Sequence, residues 1–282
     1  MKHITLLVID PQNDFCDLPN AYRPQDPVTG NSLAPALPVT GAHEDMLRLA
    51  RLIDRFGPQL SEIVVTLDSH HRLDIAHPPF WMRPDGSAVS PFTQITAADV
   101  RASVYKTRDP DAQTRALAYL DELEARGRYT LMVWPIHCEI GSWGHNVHAD
   151  VRAAYSRWEE LQMRIVTKVF KGMNPWTEHY SAVLAEVPDA DDPDTQLNQK
   201  LIDRLDRSDM ILIAGEASSH CVKATTEHIV AALGSGKLQK MVLITDCMSP
   251  VSGFEGQHAS FLAEMESKGV KGIKSDQIDL VI

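Results

Sequence analysis

The residues best suited to covalent chemistry lie in Gly215-Glu216-Ala217-Ser218-Ser219-His220-Cys221-Val222. Before them, residues 210–214 form a short apolar run of strand length. After them, Val222, Thr226, Ile229, Val230 and Leu233 return to helical spacing. Strand, tight turn and helix follow, with Cys221 in the first helical turn. A thiol there lies at the positive end of the helix dipole among free backbone N–H groups, which favour thiolate and can hold an oxyanion. A small buried cysteine that packs a helix onto a sheet has the same signature, so spacing alone leaves both readings open. Three more reactive side chains follow apolar runs: Asp10, Asp68 and Lys171. One Asp after a strand is commonly a cap or turn residue. Four reactive side chains at equivalent places point to one shared sheet edge. The histidines cluster at 70, 71 and 77 and again at 137, 145 and 148, which raises metal binding above ordinary exposed histidines.

Such a convergence needs parallel strands. Apolar runs at 4–9, 63–67, 129–133, 164–170, 210–214, 241–245 and 270–274 read as strands. Helical spacing covers 43–56, 96–104, 111–126, 147–161, 196–205, 222–233 and 254–268. Strands alternate with helices, which predicts a single-domain α/β fold over 1–282. Its core is an open parallel sheet of about six strands with helices on both faces, a Rossmann-like three-layer arrangement. No internal repeat or linker divides the chain. The Pro-rich stretch 17–31 and the loop-rich stretch 72–128 read as insertions on that domain.

Composition narrows the partners. A chain of 282 residues with 44% hydrophobic and 23% charged content is ordinary for a globular protein. A net charge of −11 without a Lys/Arg run argues against nucleic acid or a membrane surface. No apolar run reaches the roughly 18 residues of a membrane span. Met1-Lys2-His3 leads directly into a strand, so no export signal is expected. Cysteines at 16, 138, 221 and 247 form no C-x-x-C pair, which fits reduced thiols in a cytoplasmic protein.

Taken in order, the motifs resemble the nicotinamidase-like cysteine hydrolases of the isochorismatase-like superfamily. Leu7-Val8-Ile9-Asp10-Pro11-Gln12-Asn13-Asp14-Phe15-Cys16 resembles the family's opening V-D-x-Q-N-D-F-C. Ser32-Leu33-Ala34 and Val39-Thr40-Gly41-Ala42 resemble its S-L-A-V-x-G-A, here interrupted. Thr66-Leu67-Asp68-Ser69-His70 resembles the metal-binding D-x-H. Trp134-Pro135-Ile136-His137-Cys138, with Gly141 and Gly144, resembles W-P-x-H-C-x-x-G-x-x-G. Phe170-Lys171-Gly172 matches the lysine segment, and the stretch ending in Cys221-Val222 matches G-x-A-x-x-x-C-V. W-P-x-H-C points to the metal-using nicotinamidase branch.

The resemblance implies that Cys221 is the nucleophile, Asp10 the general base and acid, and Lys171 their positive neighbour. It implies an oxyanion hole from the Ala217 and Cys221 N–H groups, with a cis peptide at Glu216–Ala217. One divalent metal ion, zinc before iron or manganese, would be held by Asp68, His70 and His137, with His77 as a candidate fourth ligand. Phe15 and Trp134 would line the substrate pocket, with Trp143 and Trp81 weaker candidates. His71 is read as a solvated neighbour, and His145 and His148 as a solvated helix face. The expected reaction is metal-assisted hydrolysis of nicotinamide to nicotinate and ammonia through a thioester. Two alternatives stand beside it: the same chemistry on another small amide or carbamoyl compound, and a non-catalytic binding or scaffold protein. The partners expected are a small-molecule amide and further copies of the chain. Met173-Asn174-Pro175-Trp176 departs from the small, hydroxyl-rich pattern expected after the lysine.

Overall fold

The computed structural model describes residues 2–279. Its elements in chain order are β1 (Ile4–Ile9), α1 (Ala42–Phe56), β2 (Glu62–Asp68), β3 (Trp81–Met82), β4 (Thr93–Ile95), α2 (Ala97–Arg101), β5 (Lys106–Thr107), α3 (Gln113–Arg126) and β6 (Leu131–Val133). Then follow α4 (Ala149–Gln162), β7 (Thr167–Lys171), α5 (Gln199–Asp206), β8 (Met210–Gly215), α6 (Cys221–Leu233), β9 (Met241–Ile244), α7 (Glu255–Ser267) and β10 (Lys271–Ile273).

Six strands form one sheet in the order β10-β9-β8-β1-β2-β7, and every pairing is parallel. This is the α/β sheet that the alternation of elements predicts. β1 is apolar from end to end, apart from Thr5, and buried throughout, as a central parallel strand must be. The chain leaves β1 toward β2 and β7, then returns to its other side at β8. That reversal makes the carboxyl ends of β1 and β8 a topological switch point, where open sheets bind ligands. α1 packs on α4 and α5 on α6; right-handed crossovers put the two pairs on opposite faces.

The strand expected over 129–133 differs. It shortens to β6 and pairs antiparallel with β4 in a two-stranded ribbon outside the sheet. Pro135, which lacks an N–H, stops any ladder two residues past β6. The 72–128 stretch builds this ribbon, a second one from β3 and β5, and helices α2 and α3. No described helix is long and apolar enough to cross a membrane, and all four cysteines are unpaired and buried.

Candidate active site

Parallel pairing places Asp10, Asp68, Lys171 and Cys221 at neighbouring strand ends. Asp68 and Lys171 are register partners across β2 and β7. Asp10 follows β1, and Cys221 is the first residue of α6, one turn past β8. The Lys171 ammonium lies 2.9 Å from Asp10 Oδ2, 2.9 Å from Asp68 Oδ1 and 3.6 Å from Cys221 Sγ. It also donates to the His179 carbonyl at 3.0 Å. All four side chains are almost wholly buried. A charge in such a place survives only when paired, and one ammonium between two carboxylates meets that demand.

Burial pushes the Cys221 thiol well above its ordinary range; Lys171 pulls it down, and Asp10 and Asp68 push it up again. A thiol raised in this way calls for a neighbouring base to take its proton. Asp10 is raised by burial against the pull of Lys171, with Asp68 raising it further, and it accepts from Thr66 Oγ1 at 2.5 Å. Its Oδ2 has no aligned hydrogen-bond donor. Burial would lower Lys171, but Asp10 and Asp68 more than reverse this and keep it charged.

The turn before Cys221 is shaped by one glycine and a cis bond. Gly215 has φ +123°, and a Cβ there would sit 1.9 Å from the Ile9 carbonyl oxygen, so only glycine lets β8 pass β1 this closely. The Glu216–Ala217 peptide is cis, as the resemblance implies. No side chain caps α6. Among the described residues, the Ala217 and Cys221 N–H groups donate to no acceptor.

Asp68, His70 and His137 form a second group, with one ligand atom from each within 4.8 Å of the others. Nε2 of His70 and Nε2 of His137 lie 3.1 and 3.2 Å from Asp68 Oδ2. The opposite nitrogens are taken: His70 Nδ1 faces Asp74 Oδ2 at 3.1 Å, and His137 Nδ1 faces the Pro135 carbonyl at 2.8 Å. Such outer partners fix which nitrogen of an imidazole is left to bind a metal. One carboxylate and two so oriented, buried imidazoles fit a divalent ion with open positions.

His77 does not join them. Its Nε2 lies 3.4 Å from Nδ1 of His137, the nitrogen turned away from Asp68, and its Nδ1 faces the His71 carbonyl at 3.2 Å. His148 is fully buried, caps α4 and meets His43 at 2.9 Å, which corrects the solvated-face reading. His145 is half-buried with Nε2 2.8 Å from Ser69 Oγ.

Phe15 packs beside His137, ring centroids 5.4 Å apart. Trp134 stands edge-on to His220 at 5.1 Å and donates to Tyr180 Oη at 3.0 Å. His220 turns into that aromatic wall, 4.7 Å from Phe254, and not toward Asp10. A cavity of about 200 Å³ opens beside Tyr180, His220 and Phe254. Trp81 is core, donating to the Ile75 carbonyl, and Trp143 lines a different cavity.

Several polar residues that hold the site were not singled out from the sequence. Gln12 accepts from Asp68 N–H and donates to the Asp68 carbonyl, so it brackets that residue's backbone. Asp14 Oδ2 accepts from Cys138 N–H at 2.7 Å and anchors the His137 loop. A Cβ on Gly144 would lie 2.0 Å from that carboxylate, which explains the glycine. The motif spacing shows these residues, but their partners lie more than fifty positions away.

No family model matches the chain, and no curated protein matches it in sequence. Solved structures do match in fold. A nicotinamidase/pyrazinamidase from Acinetobacter baumanii is 19% identical with a TM-score of 0.62, over 98% of each chain. A pyrazinamidase of Pyrococcus horikoshii in complex with zinc is 18% identical, TM-score 0.52, over 96% of this chain and 99% of that one. An isochorismatase-like hydrolase from Alkaliphilus metalliredigens is 15% identical, TM-score 0.51, over 98% and 96%. The chain has the isochorismatase-like fold along nearly its whole length.

Proposed function

We propose that this protein is a metal-assisted amidohydrolase with a cysteine nucleophile, acting on nicotinamide. The observation that carries the reading is Lys171, whose ammonium touches the proposed base, a proposed metal ligand and the proposed nucleophile at once. The fold shared with nicotinamidase and pyrazinamidase structures supports the substrate class.

In this reading Asp10 takes the Cys221 proton as sulfur attacks the amide carbonyl. The tetrahedral oxyanion is met by the Ala217 and Cys221 N–H groups, donors already in place before reaction. Asp10 returns the proton to nitrogen, the C–N bond breaks, and ammonia leaves a thioester on Cys221. Water then gives its proton to Asp10 as its oxygen adds to the thioester. The acid departs and Cys221 regains its proton. Lys171 keeps Asp10 in place and offsets negative charge throughout. Asp68, His70 and His137 would hold a divalent ion, which would supply a fixed positive charge for a ring nitrogen of the substrate. Zinc is the first choice, by analogy with the zinc-bound relative; iron and manganese suit the same donors. Phe15 and Trp134 offer aromatic faces for a flat ring.

The test is ammonia release from nicotinamide, pyrazinamide and a panel of ureido and maleamic-type amides, with and without chelator. Nicotinamide is expected to be turned over, and Cys221→Ala and Asp10→Asn to abolish release. Release from another amide alone would move the substrate. No release from any amide would leave the non-catalytic reading.

A further inference from the structure

A pair of buried carboxyl groups that the mechanism above does not use lies against the loop from Gly215 to Cys221. Glu216 is fully buried and Asp45, on α1, is 2% exposed. Glu216 Oε2 accepts from the Ser249 N–H at 3.1 Å, while Ser249 Oγ donates to Asp45 Oδ2 at 2.5 Å. The Ser249 carbonyl in turn accepts from Ser218 N–H at 2.9 Å. Among the described residues the one cation in contact is Arg48, which spends its guanidinium on Asp45 Oδ1 at 2.6 Å and the Asp246 carbonyl. Glu216 Oε1 has no other partner, and Ser249, bound to both residues, sets the two carboxyl groups side by side.

Two adjacent buried carboxyls with a single cation cannot both ionise. Asp45 has the arginine and a hydroxyl donor, so it carries the charge. Glu216, with no cation of its own, is the one placed to hold the proton. Ser249 holds Oε2, which leaves Oε1 as the oxygen for a proton shared with Asp45. Its main chain is fixed as well, since Glu216 N–H donates to the Ile9 carbonyl at 2.8 Å. The next N–H along the chain is that of Ala217.

We propose that Glu216 is a positioning residue: clamped between Ser249 and Asp45 by one shared proton, it sets the main chain that aims the Ala217 N–H. What Ala217 does rests on the amidohydrolase reading; the clamp does not. The other titratable and charged groups facing the pair are Asp17 and Cys16 from the loop after β1, Asp246 and Cys247 after β9, and His258 of α7. His258 Nδ1 also meets Ser218 Oγ at 2.7 Å.

The clamp has a pH signature. Burial, with Asp45 next, raises the Glu216 carboxyl well above its ordinary range. A carboxyl raised on folding contributes fully below its unfolded pKa, and the contribution is lost as pH climbs toward the folded value. Glutamine mimics the neutral acid at every pH. The experiment compares wild type with E216Q, E216A and E216D as full-length chains. It measures kcat and KM on the amide and affinity for pyridine-3-carbaldehyde, whose thiol adduct bears the oxyanion. It also measures Cys221 alkylation by iodoacetamide and melting temperature from about pH 5 to about pH 9.

E216Q is expected to keep kcat and to gain melting temperature over wild type as pH rises. E216A should lose kcat about tenfold or more with KM unchanged, and bind the aldehyde correspondingly less well. Alkylation of Cys221, which forms no oxyanion, should be unaltered. E216D, one methylene short of Ser249, reads the same displacement where E216A does not fold. Retained kcat and aldehyde affinity in both E216A and E216D would overturn the positioning role. Equal loss in E216Q and E216A, or a pH-independent stability difference, would overturn the shared proton. Should no amide be turned over, aldehyde affinity and melting still decide on the clamp.

Discussion

At the level of single side chains, one carboxylate serves two groups. Asp68 gives Oδ1 to Lys171 and Oδ2 to the two imidazoles. The chemistry of Cys221 and the proposed metal centre thus share a residue but not an atom. The two can be separated by mutation: Cys221→Ala is expected to leave metal content intact while abolishing ammonia release. Asp74 belongs to the metal side, because it orients His70 through Nδ1. Asp74→Ala should weaken metal affinity about 10- to 100-fold, read by competition with a chromophoric chelator; an unchanged affinity would remove Asp74 from that role. Spacing marked Asp10, Asp68, Lys171 and Cys221 as reactive residues at strand ends, and the family resemblance added His70 and His137; the structure brings the six together. Thr66 and the Asp45–Glu216 pair were not legible in the sequence, because a contact between distant positions leaves no local pattern. The helix position of Cys221 is visible in sequence, while its burial beside two carboxylates is not.

Elements place these side chains through loops that bind one another. The Gln12-Asn13-Asp14 segment after β1 holds the ends of two other segments: Gln12 takes the Asp68 backbone, Asn13 the Trp143 carbonyl and Asp14 the Cys138 N–H. The polar run that stands out in the sequence is thus a set of brackets as much as an approach to Asp10. Gly144→Ala tests the bracket. The added methyl would overlap Asp14, so a loss of about 1–3 kcal/mol in stability is expected. Weaker metal binding should accompany it as the His137 loop shifts; denaturant melts and metal titration of one sample measure both. The helices and central strands were readable because their periodicity is local and their runs are long. β6 was not, since three apolar residues look alike whether they join the sheet or a ribbon with β4.

For the whole molecule, stability and charge pull against each other on the alkaline side. Glu186 is buried and pushed up to about 7 by burial, against the pull of Arg128. Its folded value lies above its unfolded one, so its contribution is whole below about pH 4.5 and lost as pH rises through about 7. Glu186→Gln should therefore stabilise the protein at pH 8 by on the order of 3 kcal/mol relative to the mutant effect at pH 4. Thermal melts at the two pH values measure it, and an equal effect at both would contradict the assignment. The sheet itself has a weak flank. β7 is paired on one side only among the described strands, and its residues alternate between Phe170, about half exposed, and buried Lys171. The ammonium of Lys171 ties this outermost strand to the ends of β2 and β1. The same ion pairs that serve the proposed chemistry therefore act as a clasp on the edge of the fold. Removing the charge in Lys171→Met should let β7 fray, with its backbone amides exchanging with deuterium sooner than those of β1 and β8.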